Sequence, residues 1–225
     1  MKLESYFTTL GSLEEQKRLD IISNNIANSN SPGFKKDNVH FSDVMGEVSY
    51  TNMSQGPIRE TGNKLDVALS GDGFLSVKTG QAVLYTRAGN LTLNSAKQLV
   101  NQDGYPVLGN NAPIVIENPS NIRIGEDGQL FDGEDVVGSL DIVQFPPGAG
   151  VQKAQNGYFE PQTAGTQPVK ATNCVVRQGS LEGANFNPVE EMAKMVQVMR
   201  DYESYQKTIQ NDGNLDSQLI SKTAG

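Results

Sequence analysis

Apolar residues along this chain follow two different periods in three successive segments. From Leu3 to about Ala27 the spacing is helical. At about 100° per residue, Leu3, Tyr6, Phe7, Leu10, Leu13 and Ile21 share one face, while Leu19, Ile22 and Ile26 share another, roughly opposite. A helix resting on a single core needs one stripe. Two stripes predict neighbours on two sides, or a break between Gly11 and Lys17. The run Asn28-Ser29-Asn30-Ser31-Pro32-Gly33 ends the helix, because Asn tolerates the left-handed cap and Pro cannot continue it. A second helical pattern begins near residue 187. Its start signal spans Asn185, Asn187, Pro188 and Glu190: Asn187 as N-cap, Pro188 at the first helical position and Glu190 closing a capping box. Met192, Met195, Met199, Tyr202, Gln206 and Ile209 then follow a three-four spacing like that of a short coiled-coil seam. Asp212-Gly213-Asn214 predicts a kink or an end, with Leu215, Leu219 and Ile220 as a resumption.

Between the helices the period changes to two. Leu65, Val67 and Leu69 alternate, as do Leu91 and Leu93, Ile114 and Ile116, Ile122 and Ile124, and Leu140 and Ile142. Turn signals separate these runs: Gly71-Asp72-Gly73, Arg87-Ala88-Gly89-Asn90, Asp103-Gly104, Asp127-Gly128, Asp132-Gly133 and Pro146-Pro147-Gly148. Residues 34–64 show neither period, with Val39, Val44, Met45, Val48 and Met53 scattered in polar sequence, and are expected to form an extended linker. Gln152–Gln167 is expected to be a surface loop. The resulting fold class is α+β: a mainly antiparallel β domain, sandwich- or barrel-like, with N- and C-terminal helices pairing into a coiled-coil-like stalk. The domains expected are residues 1–33 with 187–225 as the helical part, 34–64 as linker and 65–186 as β domain.

Composition narrows the function. Apolar content is only 36%, there is no Trp, and there are 23 glycines among 225 residues, which suits a turn-rich or extended protein better than a compact enzyme. The net charge of −8 argues against nucleic acid as a partner. A single cysteine, Cys174, and a single histidine, His40, can form neither a disulfide nor a four-ligand zinc site. Cys174 reads as a plain strand thiol. No phosphate-binding GxxxxGK and no GxSxG elbow occurs. Gly71-Asp72-Gly73 lacks the third glycine of a dinucleotide fingerprint, and Asp66 with Asp72 reads as turn carboxylates rather than a glycosidase pair. No apolar run is long enough to span a bilayer, and the N-terminus has no cleavable signal pattern. No catalytic, cofactor or metal residues and no small-molecule substrate are expected. The helices, by contrast, carry more apolar surface than one pairing covers, and such surface marks assembly. Asn24, Asn25 and Asn28 exceed what one cap requires; their amides are suited to bonding neighbouring subunits. The expected assembly interface is therefore Asn24, Asn25, Ile26, Asn28, Met192, Met195, Met199, Tyr202 and Ile209.

Four collinear stretches resemble a known family. Leu19 to Lys36, LDIISNNIANSNSPGFKK, is similar to the NNIANxxTPGFK signature of the bacterial flagellar rod and hook family. Thr61 to Phe74 (TGNKLDVALSGDGF), Tyr85 to Gly109 (YTRAGNLTLNSAKQLVNQDGYPVLG) and Gln178 to Met195 (QGSLEGANFNPVEEMAKM) resemble its further motifs in order, and Arg200-Asp201-Tyr202-Glu203 resembles the following RxYE. Ser31 stands for the usual Thr, Leu75 for a second Phe, and Ala184-Asn185-Phe186 for Ser-Asn-Val. The resemblance implies a structural subunit exported through the flagellar type III apparatus without signal cleavage. It implies residence in the basal-body rod across the periplasm, with itself and other rod subunits as partners. It implies a helical tube that transmits torque and encloses the export channel, with Pro32, Gly33 and Phe34 as a hinge setting the chain's exit angle. The short Asp37–Gln55 stretch and LEGANFNPVEEM favour a proximal rod component over a distal rod or hook protein. The competing expectation is a secreted β-sandwich enzyme or carbohydrate-binding module with helical appendages.

Overall fold

A computed structural model describes residues 3–42, 46–80, 82–146, 148–163 and 165–223. The chain divides into two compact units. The first comprises Met1–Ser29, Asp37–Tyr50 and Phe186–Gly225; the second comprises Asn30–Lys36 and Thr51–Asn185. The fold is α+β, and its strands are mostly antiparallel.

The first unit contains helix α1 (Leu3–Ala27), helix α2 (Pro188–Thr223) and the strand Asp37–Ser42, which pairs with Gly46–Thr51. Neither helix breaks where the sequence suggests. Gly11 sits inside α1 because it lies under the Tyr205 ring of α2: a Cβ there would stand 2.8 Å from the ring. The glycine serves close approach of two helices, not a kink. Gly213 likewise stays within α2, where a glycine costs about 1 kcal/mol that a long helix absorbs. The Asn187 side chain caps α2 by accepting the Val189 N–H at 3.0 Å. Glu190 does not complete the expected capping box on the backbone; its carboxylate instead accepts from the Asn187 amide at 3.4 Å. Asn185 takes no part in the cap. At the end of α1 the Asn28 N–H donates to Asn24 O and Asn25 O, at 3.2 and 3.1 Å. Residues Val44 and Met45, and the side chains of Leu3, His40, Val48, Leu215, Leu219 and Ile220, lie outside the described part.

The second unit is built on a six-stranded sheet in the order Val151–Lys153, Phe159–Pro161, Ala82–Thr86, Phe74–Thr79, Ile142–Gln144, Val169–Lys170. A three-stranded sheet (Ile122–Ile124, Gln129–Asp132, Asp135–Ser139) and several two-stranded ladders join it. Leu75, Val77, Leu99, Val107, Ile116 and Leu130 centre the main core, and Ile114, Ile122, Ile124, Leu140 and Ile142 point inward with them, as their alternation predicts. A separate aromatic cluster joins Phe74, Tyr85 and Phe159 with Phe145.

Three readings need correction. Val67, Ala68 and Leu69 are all buried, so the strand Val67–Gly71 is enclosed on both sides rather than alternating. Gln152–Gln167 is not simply a loop. It supplies two strands of the main sheet, because Tyr158 and Phe159 are core residues within polar sequence. Residues 34–64 likewise hold strands Asp37–Ser42, Gly46–Thr51 and Ile58–Glu60.

Asn25 explains how the strand after α1 is placed. Its Nδ2 donates to Asp37 O at 2.9 Å and its Oδ1 accepts the Asp37 N–H at 3.0 Å. Asn25→Ala removes both bonds to the Asp37 backbone, a cost of about 1–3 kcal/mol within the first unit. Hydrogen exchange should show a faster Asp37 amide with no change at Val77 in the second unit.

Candidate functional site

The first unit has an inverted polarity. Five of its described residues are buried: Ser12, Glu15, Asn25, Glu191 and Val198, of which only Val198 is apolar. The contact of α1 with α2 includes a polar bond beside the Gly11–Tyr205 packing, Gln206 Nε2 donating to Ser12 Oγ at 3.1 Å. Glu15 Oε1 accepts from Arg18 at 3.0 Å, while its Oε2 is buried with no hydrogen-bond partner among the described residues. Burial pushes the Glu15 carboxyl above its ordinary range; Arg18 opposes this, and Asp201 and Glu14 add to it. Glu191 is held by Lys194 at 2.7 Å.

Large apolar side chains face the solvent instead. Tyr6, Phe7, Leu10 and Leu13 on α1, and Val189, Met192, Val196 and Met199 on α2, are 41–71% exposed. On α2 the four lie at i, i+3, i+7 and i+10, one outward stripe. Thus Met192 and Met199 belong to an open face, whereas Met195, Tyr202 and Ile209 are half-buried. Asn24 is exposed, and its carbonyl accepts from the Asn28 side chain at 2.9 Å. Ile26 is half-buried. Asn25 departs from its expected bridging role. It is only 1% exposed, and both amide atoms bond the Asp37 backbone.

The second unit holds a buried ion cluster that the sequence reading missed. Glu182 Oε1 accepts from Lys35 Nζ at 2.6 Å and from the Gly56 N–H at 2.8 Å, and Oε2 meets Arg87 Nη1 at 3.3 Å. Lys35 and Glu182 are each 1% exposed and Arg87 is 4% exposed. Arg87 Nη2 also donates to Gly71 O at 2.7 Å, and Lys35 Nζ to Ser54 O at 2.8 Å. Burial draws the Lys35 ammonium below the usual lysine range, against the pull of Glu182. Arg87, read from sequence as part of a turn, is therefore an interior residue.

Around this cluster the residues 33–36 are tied down. Gly33 takes φ +68°, and a Cβ there would stand 2.3 Å from the Arg87 carbonyl carbon. Its N–H donates to Glu182 O at 2.7 Å. Phe34 is buried, with Lys153 Nζ 4.1 Å from its ring centroid. Pro32 is half-buried. Asn185 reads two further segments: its Oδ1 accepts the Lys36 N–H at 2.8 Å, and its Nδ2 donates to Asn52 O and Ser54 O at 2.7 and 3.0 Å. The Asn52 N–H in turn donates to Lys36 O at 2.9 Å.

Other candidates resolve into structure. Asp66 braces a turn, accepting from Thr61 Oγ1 at 2.7 Å and Asn63 Nδ2 at 2.9 Å, and Asp72 is exposed. Cys174 is half-buried, and burial pushes its thiol upward. Among the described residues no three potential metal ligands come together, and no helix is long and apolar enough to cross a membrane. Truncating Glu182 to Ala leaves two cations buried against each other. The expected loss is about 3–5 kcal/mol from the second unit, read as a lower urea midpoint.

The chain is similar to known proteins in sequence. Three family models match: flagella basal body rod protein over residues 14–35, flagellar hook protein FlgE/F/G D1 domain over 68–131, and flagellar basal body rod FlgEFG protein C-terminal over 177–222. The flagellar basal-body rod protein FlgG of Bacillus subtilis is 31% identical across 97% of this chain and 98% of its own length. FlgF of Salmonella typhimurium is 32% identical across 96% and 97%, and FlgF of Mesorhizobium japonicum 30% across 93% and 92%.

Proposed function

This chain belongs to the flagellar basal-body rod family, of the FlgF and FlgG type, and we propose that its work there is mechanical. It is a structural rod subunit of the flagellum basal body and assembles with other rod components; the family is not one of enzymes. The relatives give no support to a secreted enzyme or carbohydrate-binding module. In our reading, α1 and α2 pair as a coiled-coil-like stalk and stack beside those of neighbouring subunits. Together they form a periplasm-spanning tube that transmits torque and surrounds the export channel. The observation that carries this is the inverted polarity of the first unit: four of its five buried described residues are polar, and two apolar stripes lie outside. Burying each outward side chain contributes about 1.5–3 kcal/mol, so assembly gains what the isolated pair forgoes.

In the same reading, Asn24, Ile26, Asn28, Met192, Met195, Met199, Tyr202 and Ile209 serve the contacts between subunits, and Asn25 is withdrawn from that set. Pro32, Gly33 and Phe34 set the direction in which the chain leaves the helical part, supported by the positive φ of Gly33. Export through the flagellar type III apparatus belongs to the same reading, and the short Asp37–Gln55 segment favours a proximal position.

Met192→Asp with Val196→Asp should block rod assembly and swimming while the melting of the second unit stays unchanged. Normal basal bodies in electron micrographs of that strain would refute the tube model. The Glu15 carboxyl supplies a second test. Its pKa is raised in the paired helices, so they hold a proton that separated helices release. Pairing therefore strengthens as pH falls from neutral through the raised value, and the gain is complete below the ordinary value of 4.5. Helical circular dichroism should rise over that interval in the native protein, and Glu15→Gln should remove that part of the rise.

A further inference from the structure

We infer that a groove in the first unit receives the outward methionines of α2 from a second copy of this chain, in a head-to-tail contact. The inference rests on the rod reading and deepens it, by assigning which face meets which.

The groove is a cavity of about 310 Å³ framed by α1, α2 and the strand Asp37–Ser42. Ile21 and Ile22 of α1, Val39 of the strand and Val198 of α2 supply its apolar walls. Its rim on α2 is already bonded within itself. Lys194 Nζ donates to Glu191 Oε1 at 2.7 Å, and Gln197 Nε2 donates to the Asp201 carboxylate at 3.0 and 3.2 Å. Arg18, on the α1 side, is bonded to Glu15 at 3.0 Å. These charged groups have partners at hand, so an apolar occupant suits the groove better than an ionic one.

Both halves of such a contact lie on one helix. Val189 and Val198 are separated by about two and a half helical turns, as are Met192 and Asp201. The groove side of α2 and its outward stripe therefore point in opposite directions. A molecule that gives its stripe to a neighbour's groove keeps its own groove free for the next molecule. That is a heterologous contact, which can run on as an open filament, whereas a two-fold contact uses one patch on both molecules and stops at a dimer. The stripe also matches the cavity in kind. Val189, Met192, Val196 and Met199 are 44–71% exposed, and unbranched Met adapts to an irregular apolar space. The α1 stripe leads instead with the packed rings of Tyr6 and Phe7.

Thiol cross-linking in cells tests this, in a Cys174→Ser chain that supports swimming. With Ile22→Cys and Met192→Cys in the same chain, a short bis-maleimide should convert monomer into dimer, trimer and longer species. Either cysteine alone should leave monomer, and a mixture of the two single-cysteine chains should give dimer and nothing longer. Dimer from Met192→Cys alone marks a two-fold contact and overturns the inference. So does a ladder from Ile22→Cys with Leu10→Cys in place of the Met192 pair. A swimming strain whose double-cysteine chain stays monomeric also overturns it, while the rod reading stands. That reading fails separately, through normal basal bodies in the Met192→Asp, Val196→Asp strain. Should Ile22→Cys itself stop swimming, Val39→Cys takes its place with the same expectations. Native mass spectrometry of the dilute chain gives a further check: an apolar small molecule bound one per chain makes the groove a ligand site and refutes the contact.

Discussion

The burial of one carboxylate, Glu182, constrains the second unit more than any other contact. An ionised carboxyl with no partner in such a place costs several kcal/mol, so its partners are obligatory rather than decorative. They come from three distant parts of the chain: Lys35, the Gly56 N–H and Arg87. Each arrives with its own segment. The strand Ser180–Glu182 pairs with Ile58–Glu60, directly after Gly56, and Arg87 follows the strand Ala82–Thr86 of the main sheet. The charge cluster thus ties together segments that lie far apart along the chain. Buried ion pairs add little net stability over an apolar core, whereas losing one partner of a pair is costly.

The first unit obeys the opposite logic. Its buried positions include Ser12, Glu15, Asn25 and Glu191 where a self-sufficient helix pair places leucines. A pair of this kind is marginal alone and gains its stability from contacts made by the outer faces. That suits a subunit whose relatives are named as basal-body rod proteins.

The sequence made the two helices, the Asp-Gly turns and most inward-facing alternations legible, because each rests on local periodicity. The two opposed stripes of α1 were also visible; which of them faces outward was not. Three things escaped it. Tyr158 and Phe159 are isolated in polar sequence, and only the sheet order explains their burial. Asn25 reads as one of several surplus asparagines until Asp37 is seen beside it. The Lys35, Arg87 and Glu182 cluster joins positions up to 147 residues apart, which no periodicity reveals. One signal did exist: Ser180 and Glu182 face inward while Leu181 does not, an alternation of the wrong polarity for an ordinary strand.

The pairing of Ile58–Glu60 with Ser180–Glu182 has a consequence for how such chains change length. The two strands close the second unit like the neck of a bag, and residues 61–179 form its contents. Material added at an Asp-Gly hairpin such as Asp132-Gly133 enlarges the contents without disturbing the neck. The alignment with the Bacillus subtilis relative runs to 261 positions against 225 residues here. A chain built on this plan is free to gain or lose bulk between residues 61 and 179 while the paired strands that enclose it stay as they are.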